Sequence, residues 1–382
     1  MITTEPGRAG RGRRFVLFLA IALIQFALFE AGMRSWGSSE ASPSFQGLFM
    51  DDPAIGYRLR PGARTRFRTI EFAADIAINQ DGVRDDAPIG PKPRGERRIV
   101  ILGDSLVLSV QVDLEQTFGA LLEQRLNEQA APGVRHRVIN AGVQGYGPVE
   151  ELLFFRTVAR RFEPDVVLVA LFVGNDAEEA LASAPKLLGD ERPLAEALSD
   201  DVTVRLRRLV RRSMVLQVLR LRIVAMTDRM RPRGVAPEPP LQSYAARPAP
   251  RIARGLAVTR SVMEQLAVEA SAVGARTGIL LLPARFQVDD GDYDRLRETV
   301  RQAGGELVRD GATARFDAAL ADLAVPRLDV LPDLRESLPG PDLFYQQSVH
   351  FTPRGHAVVA IAVERFLRES GLLDAPAEGP SR

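Results

Sequence analysis

The sequence predicts an α/β protein in which helices cover both faces of a parallel sheet. Three observations predict it: five short apolar runs, helical stretches between them, and polar or glycine-rich turns directly after the runs. The third run, residues 165–172 (DVVLVALF), is apolar from its second residue onward, which is typical of a strand buried on both faces. Sites in such sheets lie at the carboxyl ends of the strands, so functional residues are expected in the turns that follow them.

Strands and helices alternate regularly along this part of the chain. The strands are expected at 98–102, 137–140, 165–172, 277–282 and 327–331. Helical stretches are expected at 114–128 and 150–162, and a further one precedes each of the last two strands. This alternation indicates a doubly wound sheet with parallel neighbours.

The N-terminal segment predicts export and a membrane anchor. Residues 15–29 are apolar except for Gln25, and four arginines precede them: Arg8, Arg11, Arg13 and Arg14. Extended to residue 33, a helix would be about 28 Å long at about 1.5 Å per residue, close to the roughly 30 Å core of a bilayer. The arginines place the N-terminus in the cytoplasm. We therefore expect residues 1–34 to be a cytoplasmic tail and single-pass anchor in a bacterial inner membrane, with the rest in the periplasm.

Two other interpretations of this segment stay open. One is a cleaved signal peptide, whose best cleavage site is at residues 39–41, some distance past the apolar run. The other is a helix buried in the protein core. Export follows from both the anchor and the signal peptide, whereas anchoring follows only from the first.

The remaining chain divides into a small β-rich element and one large domain. Residues 35–97 are expected to form the β-rich element, because residues 64–79 alternate in part like a pair of strands and a Gln-Asp-Gly turn follows. The α/β domain is expected over 98–372, and a disordered tail over 373–382.

An insertion at about 195–250 separates the third predicted strand from the fourth. It has no acidic residue between Asp201 and Asp228, and its arginines there interleave with apolar residues. We expect a helix with a solvated arginine face that packs on the domain; a helix that contacts anionic lipid, or a lid over the site, is the alternative. Residues 232–250 are rich in proline and predict an extended linker or loop.

Composition excludes several classes of protein. The chain has 50 Lys and Arg against 49 Asp and Glu, whereas nucleic-acid binders normally have a clear basic excess. It contains no cysteine, which excludes disulfides, thiolate metal sites and a cysteine nucleophile. Its three histidines, His136, His350 and His356, leave little room for a histidine metal cluster. We expect no nucleic-acid partner.

The turn after the first predicted strand contains a candidate nucleophile. It reads Gly103-Asp104-Ser105-Leu106, and a serine at this place can present its hydroxyl at the carboxyl end of the strand. Backbone N–H groups at the start of the next helix can stabilise negative charge there. Asp and Ser are also common helix N-caps, so these four residues alone are weak evidence. The turn is neither the G-x-S-x-G elbow of α/β-hydrolases nor a P-loop.

The next two strands are also followed by residues suited to a site. The glycine-rich turn at 140–147 (NAGVQGYG) can bring a backbone N–H close to a ligand. The turn Gly174-Asn175-Asp176 offers the side-chain amide of Asn175, a good neutral hydrogen-bond donor to an oxyanion.

A histidine motif opens the last predicted helix. Residues 348–356 (SVHFTPRGH) place His350 just before a helix that Thr352 would cap and Pro353 would begin. His350 can then face the carboxyl edge of the sheet, and His356 is expected to cap or pack at the helix start.

Together, in this order and each at a strand end, these motifs resemble the SGNH (GDSL) hydrolase superfamily. Gly-Asp-Ser-Leu resembles its first block, the glycine turn its second, Gly-Asn-Asp its third, and the histidine followed by x-x-Pro-x-Gly-His its fifth. The resemblance covers about residues 98–367. The N-terminal helix, with GYRLRP at 56–61 and NQDGVR at 79–84, also resembles the membrane-anchored bacterial branch of that superfamily.

The resemblance implies a fold and a set of site residues. The fold would be a flavodoxin-like three-layer α/β/α sandwich with a five-stranded parallel sheet, without metal or cofactor. Ser105 would be the nucleophile and His350 the general base. The N–H groups of Ser105 and Gly145 and the side chain of Asn175 would form the oxyanion hole, with Gly142 the competitor of Gly145.

One departure from the family pattern concerns the residue that orients His350. The superfamily usually has an aspartate three residues before this histidine, and here that position is Gln347. A neutral amide cannot stabilise an imidazolium as a carboxylate does. The role of the acid would pass to a backbone carbonyl, giving a Ser–His dyad, or to another acid such as Asp342 or Asp333; otherwise the protein is a degenerate enzyme.

The resemblance implies a serine esterase or acyl hydrolase that acts on O-acyl esters through an acyl-Ser105 intermediate. Its substrate would be an acylated small molecule, an envelope glycan or a lipid. Two alternatives stay open: an O-acyltransferase with the same nucleophile, and a catalytically degenerate envelope protein that binds a glycan or lipid. Gln347 favours the degenerate protein, whereas the intact Ser105, Asn175 and His350 count against it.

Overall fold

The computed structural model describes residues 43–188, 239–338 and 342–374, together with positions 24, 25 and 28. Almost all of these residues belong to one structural unit, which spans Gly47–Glu196 and Pro232–Arg382, and a second unit contains helix α1 (Pro43–Gln46). Apart from positions 24, 25 and 28, the predicted membrane segment lies outside the described residues, as do the arginine-rich part of the insertion and most of the C-terminal tail. Within the described ranges, no helix is long and apolar enough to cross a membrane.

Two short antiparallel hairpins come before the main sheet. Strand β1 (Phe49–Asp52) pairs with β2 (Gly56–Leu59), and β3 (Arg64–Arg68) pairs with β4 (Ala73–Ala77). The strand pair that the sequence predicts over 64–79 is therefore present. The sequence does not predict β1 and β2 individually, because strands of four residues are too short to show an alternating pattern.

The main sheet has five parallel strands, as the sequence predicts. They are β5 (Glu96–Gly103), β6 (Arg135–Gly142), β7 (Val166–Phe172), β8 (Arg276–Leu282) and β9 (Arg327–Asp329). Their order across the sheet is β6-β5-β7-β8-β9, so the first of them along the chain lies between the second and the third. This is the strand order of flavodoxin-like proteins, whose ligands bind where the order reverses, here between β5 and β7.

Helices cover both faces of this sheet. After α1, the α-helices of the described ranges are α2 (Ser105–Leu108), α3 (Phe118–Glu128), α4 (Pro148–Thr157), α5 (Asp176–Ser183), α6 (Pro239–Gln242), α7 (Pro250–Ala272), α8 (Arg285–Val288), α9 (Asp290–Gln302), α10 (Gly311–Leu320), α11 (Leu331–Glu336) and α12 (Pro353–Glu369). Helices α3, α11 and α12 pack in one layer and share one core cluster with the sheet. Helices α4, α5 and α7 pack against one another in the other layer.

Strand β7 shows why its sequence is a continuous apolar run. Successive side chains of a strand point to opposite faces, and every residue from Val166 to Leu171 is buried. Val166, Leu168 and Ala170 belong to the core cluster that includes α3 and α12. The residues between them point to the other layer, so neither face of this strand tolerates a polar side chain.

At two of the places where the structure departs from the predicted elements, a capping residue or a proline is the reason. The helix expected over 114–128 is divided at Thr117, whose extended backbone ends a 3-10 turn and whose hydroxyl accepts the N–H of Ala120 at the start of α3. The last strand is shorter than predicted, because Leu331 and Pro332 begin α11.

Over its described part, the proline-rich segment is a four-residue helix followed by a loop rather than an extended linker. Its residues 239–242 form α6, and Tyr244 is almost fully buried. The Tyr244 hydroxyl donates to Gln287 Oε1 at 3.1 Å, and its ring packs edge-on against Phe286. Two of the prolines stand at the first positions of α6 and α7, where proline favours a helix start.

Candidate active site

Ser105 and His350 meet at the carboxyl end of the sheet. Ser105 is the first residue of α2, directly after β5, and His350 lies in the loop before α12. The Ser105 Oγ lies 2.8 Å from His350 Nε2, within hydrogen-bond distance. His350 is 7% exposed, whereas Ser105 is partly exposed. The structure therefore brings together the residues that the resemblance implies as nucleophile and base.

Asp104 and Gly103 shape the turn that carries Ser105. The Asp104 carboxylate accepts the N–H of Leu106 at 2.8 Å and so caps α2. A Cβ on Gly103 would lie 2.3 Å from a valine methyl group of α2, so only glycine lets the helix fold back on its strand. Helix α2 is a single turn that ends at Leu108, and the N–H of Ser105 at its start has no acceptor among the described residues.

A narrow loop holds His350 in place. The N–H of Tyr345 donates to the His350 carbonyl at 3.0 Å, which closes the loop on itself. Helix α12 then begins as the sequence predicts: the Thr352 hydroxyl accepts the N–H of Gly355 at 3.2 Å, and Pro353 is the first helical residue.

The other ring nitrogen of His350 faces a hydroxyl group. The Ser348 Oγ lies 2.7 Å from His350 Nδ1. Gln347 is exposed, and its side chain makes no hydrogen bond to the ring in the part of the chain that the structure describes. Ser348 is neither an acid nor a backbone carbonyl, the two kinds of partner expected for this nitrogen, so the sequence does not single it out. The signal that identifies it is a hydroxyl residue two positions before the histidine in a closed loop.

The two acids considered as substitutes for the missing aspartate lie elsewhere. The Asp342 carboxylate accepts a long hydrogen bond, 3.4 Å, from the Gln346 side chain. Asp333 forms an ion pair with Arg365 at 2.8 Å. Neither acid contacts His350.

His350 is neutral at neutral pH. Burial lowers its pKa from 6.5 to about 4, and no carboxylate within the described ranges opposes this effect. For Nε2 to accept the Ser105 proton, the proton of the neutral ring must be on Nδ1, where it donates to Ser348 Oγ. Ser348 Oγ is placed to accept a hydrogen bond from a proton on Nδ1, so the site offers a neutral partner for the required tautomer and no negatively charged one.

Gly142 and Gly145 have different roles in the glycine turn. A Cβ on Gly142 would lie 2.4 Å from the backbone nitrogen of Leu108, and its own N–H donates to Asn140 Oδ1 at 3.1 Å. Gly145 has φ of +72°, in the left-handed region that favours glycine, and no described residue accepts its N–H. Gly142 therefore allows close packing against α2, and Gly145 offers the free donor.

Asn175 follows β7 and occupies the N-cap position of α5. Its Nδ2 donates to Glu179 Oε1 at 2.7 Å, which leaves the second N–H of the amide without an acceptor among the described residues. The Asp176 carboxylate accepts the N–H of Phe172 at 2.8 Å and stabilises the turn. The three groups that the resemblance implies as oxyanion donors therefore each keep an unpaired N–H.

Four largely buried carboxyl groups surround these turns: Asp104, Glu151, Asp176 and Glu179. Burial raises the pKa of Asp104 to about 7 and that of Glu179 to about 8. Burial and the neighbouring acids raise the pKa of Glu151 and of Asp176 well above the usual range. In the described ranges, no three such groups could together hold a metal ion. The cluster therefore carries much less than its full negative charge at neutral pH.

His356 packs at the start of α12. Its Nδ1 accepts the N–H of Phe118 at 3.3 Å, and its ring stacks on the Phe118 ring. Burial lowers its pKa to about 3, so the ring is neutral. His356 thus joins α12 to α3 and does not reach the Ser105 hydroxyl.

The chain is similar to several solved structures. With TesA it shares 14% identity over 72% of this chain and 100% of that chain, at a TM-score of 0.40. With the lipase/acylhydrolase from Enterococcus faecalis it shares 13% identity over 72% and 96%, at a TM-score of 0.38. With a protein from Desulfitobacterium hafniense DCB-2, described as lipolytic and of the G-D-S-L family, it shares 12% identity over 71% and 99%, at a TM-score of 0.35.

No protein-family model and no curated protein matches the chain. TM-scores below 0.5 at such low identities carry no functional weight. The resemblance to the SGNH superfamily therefore rests on the four sequence motifs themselves. Each motif follows a strand or opens a helix at the carboxyl end of the sheet.

Proposed function

We propose that the chain is a serine hydrolase of ester bonds. The observation that carries the proposal is the 2.8 Å contact between Ser105 Oγ and His350 Nε2 at the carboxyl end of β5. A neutral imidazole at this distance takes the hydroxyl proton as the oxygen attacks a carbonyl carbon.

The first half of the reaction forms an acyl-enzyme. Ser105 Oγ bonds to the acyl carbon while its proton passes to His350 Nε2, and the carbonyl electron pair moves to oxygen. The N–H groups of Ser105 and Gly145 and the amide of Asn175 donate to this oxyanion. The imidazolium then gives its proton to the alcohol oxygen as the ester C–O bond breaks. In the second half, the neutral ring takes a proton from water as the water oxygen bonds to the acyl carbon. The bond from that carbon to Ser105 Oγ then breaks, the imidazolium returns the proton to Oγ, and the acid leaves.

Ser348 takes part of the role of the missing aspartate. Its hydroxyl oxygen lies 2.7 Å from His350 Nδ1, and by accepting a hydrogen bond from the Nδ1–H it would keep the ring in the tautomer that a base requires. It supplies no negative charge, so the imidazolium is less stabilised than in a Ser-His-Asp triad. The proposed base is a Ser–His dyad with a neutral second partner.

The acyl-enzyme can lose its acyl group to water or to an alcohol. We propose water, because Ser105 is partly exposed and solvent reaches it. An O-acyltransferase would use the same intermediate with an alcohol acceptor. Product analysis distinguishes them: a free acid forms at the same rate with and without added alcohol if the enzyme is a hydrolase.

The proposed substrate is an O-acyl ester of an envelope glycan or an acylated lipid at the outer face of the inner membrane. Support comes from the apolar run at 15–29 and the arginines before it, which favour an anchor with the domain in the periplasm. A reporter that is active only in the periplasm, fused after Arg382, should be active in a bacterial host. If instead a second reporter, one that works only in the cytoplasm, is active when fused at the same place, this location and this substrate class are excluded.

Labelling with a fluorophosphonate probe tests the enzyme class. The wild-type protein should be modified at Ser105, Ser105→Ala should not be modified, and His350→Ala should react far more slowly. If the folded wild-type protein is unlabelled at every pH between about 6 and 9, the degenerate binding protein is the better account.

A further inference from the structure

The segment at residues 47–95, here named the N-terminal β element, contains both hairpins and the turn that follows them. Three of its side chains reach loops of the candidate site: Tyr57, Glu71 and Arg84. Two of them lie in the sequences GYRLRP and NQDGVR, which the proposed reaction does not use.

Glu71 holds the loop that carries the base. Its carboxylate, in the turn between β3 and β4, accepts the N–H of Gln346 at 2.8 Å and that of Gln347 at 2.9 and 3.0 Å. The next residue is Ser348, whose hydroxyl contacts His350. One carboxylate that binds two consecutive N–H groups fixes the direction of the backbone just before these two residues.

The same backbone is held from its carbonyl side as well. Arg285, the first residue of α8, donates to the carbonyl of Tyr345 at 2.8 Å and to that of Gln346. The ring of Phe72, next to Glu71, packs against the Tyr345 ring with centroids 5.1 Å apart. The large domain thus binds one side of this loop, and the N-terminal β element binds the other.

Tyr57 fixes the peptide that offers the Gly145 donor. Its hydroxyl, on β2, donates to the carbonyl of Gln144 at 2.7 Å. This carbonyl and the N–H of Gly145 belong to one planar trans peptide and point in opposite directions. Holding the carbonyl therefore aims the N–H. In return, the Tyr146 hydroxyl donates to the Tyr57 carbonyl at 2.5 Å.

Arg84 fixes the end of the helix that Ser105 begins. Its side chain is fully buried and donates to the carbonyls of Leu108, at 2.7 Å, and of Ser109 and Val112. No carboxylate in the described ranges pairs with it. Burial lowers its pKa to about 10, so the guanidinium stays charged at neutral pH. These carbonyl groups accept its hydrogen bonds, and the carboxylates of Asp113, Glu115 and Asp86, which form no ion pair with it, also favour its charged form.

We infer that the N-terminal β element is a structural part of the active site, and that Tyr57, Glu71 and Arg84 are positioning residues. Tyr57 aims an oxyanion donor, Glu71 orders the loop of the base, and Arg84 anchors the helix of the nucleophile. The inference rests on the proposed function, and it concerns residues that do not touch the substrate.

Matched variants of the full-length protein test this inference. Tyr57→Phe and Glu71→Gln should each lower kcat for p-nitrophenyl acetate by about tenfold or more, with KM within about twofold, because small misplacements of catalytic groups slow chemistry more than binding. Glu71→Ala should lower kcat further than Glu71→Gln, which keeps one acceptor oxygen. Rates are expressed per site labelled by fluorophosphonate, so unfolded molecules do not count.

Two control variants remove similar groups away from the site. Tyr293→Phe deletes a hydroxyl that donates to the Leu307 carbonyl at 3.3 Å, and Arg66→Gln removes an exposed charge on β3. Both should keep wild-type kcat. If Tyr57→Phe and Glu71→Gln match their controls while the wild type is labelled at Ser105, the inference is wrong and the proposed function stands. An unlabelled wild-type protein overturns both.

Discussion

Ser348 Oγ lies 2.7 Å from Nδ1 of His350, across the ring from the 2.8 Å contact with Ser105. In a Ser-His-Asp triad a carboxylate occupies this place, fixes the tautomer and stabilises the imidazolium. A hydroxyl performs only the first of these tasks. The rate of the proposed reaction should therefore depend on Ser348, and its pH dependence should be that of a base without a charged partner.

Ser348→Ala should lower kcat by about tenfold with little change in KM. It leaves the Nδ1–H of a buried ring unpaired, at a cost of about 1–3 kcal/mol, part of which falls on the transition state. Gln347→Ala is the matched control, because Gln347 is adjacent and exposed, and its kcat should stay within about twofold of wild type. A Ser348→Ala protein with wild-type kcat would show that another group orients His350.

Activity should persist to low pH. Burial lowers the pKa of His350 to about 4, and only the neutral ring accepts the Ser105 proton. A plot of kcat/KM against pH should stay level below neutrality and fall to half near pH 4. A midpoint near 6.5 would contradict this account of the base. Ser348→Asp should move the midpoint upward, since a carboxylate beside Nδ1 favours the imidazolium.

Asn175→Ala should lower kcat by about 10²-fold or more and change KM little, because it removes a donor that acts on the oxyanion in the transition state. Asn140→Ala, which removes an amide that donates to the Val107 carbonyl, provides the contrast. Asn140→Ala should reduce thermal stability, and it should lower kcat per labelled site much less than Asn175→Ala does. Equal kcat for Asn175→Ala and wild type would exclude Asn175 as an oxyanion donor.

Glu151→Gln should make stability less sensitive to pH. In the unfolded chain Glu151 ionises near 4.5, whereas burial raises its pKa well above that value in the folded protein. Between the two values the unfolded chain loses a proton that the folded protein keeps, so the free energy of unfolding falls as pH rises. One such group contributes a slope of up to about 1.4 kcal/mol per pH unit, which the neutral amide removes.

Urea unfolding at about pH 5 and pH 8 measures this difference. The control is Glu298→Gln, which changes an exposed acid on α9 whose pKa is lowered to about 2. Between these two pH values, the free energy of unfolding of Glu298→Gln should fall by as much as that of the wild type. A Glu151→Gln protein that also runs parallel to the wild type would show that Glu151 ionises normally in the fold.

The sheet and the main site residues could be predicted because their signals are local. The apolar run of β7 requires burial on both faces, and the observed strand begins and ends within one residue of the predicted range. Ser105 follows one parallel strand and Asn175 follows its neighbour, so the fold brings them to the same edge. Because parallel strands have their carboxyl ends on the same side of a sheet, the turns that follow them lie together.

The contacts made by loops could not be predicted, because they depend on the path of the chain between distant segments. Glu71 accepts the N–H of Gln346 across 275 residues, and neither residue belongs to a motif. Ser348 belongs to the histidine motif of the sequence, but whether its hydroxyl or the Gln347 amide faces the ring depends on how the loop closes. That closure is set by the hydrogen bond from Tyr345 to the His350 carbonyl.

The central claim is that Ser105 carries the acyl group and that His350 activates it. Intact-protein mass spectrometry after rapid mixing with p-nitrophenyl acetate tests it most directly. The wild type should gain the mass of one acetyl group, and peptide mapping should place that group on Ser105. His350→Ala should gain it far more slowly, and Ser105→Ala should not gain it. Acetylation of Ser105→Ala at the wild-type rate, or turnover by the wild type without any acetylated Ser105, would contradict the account.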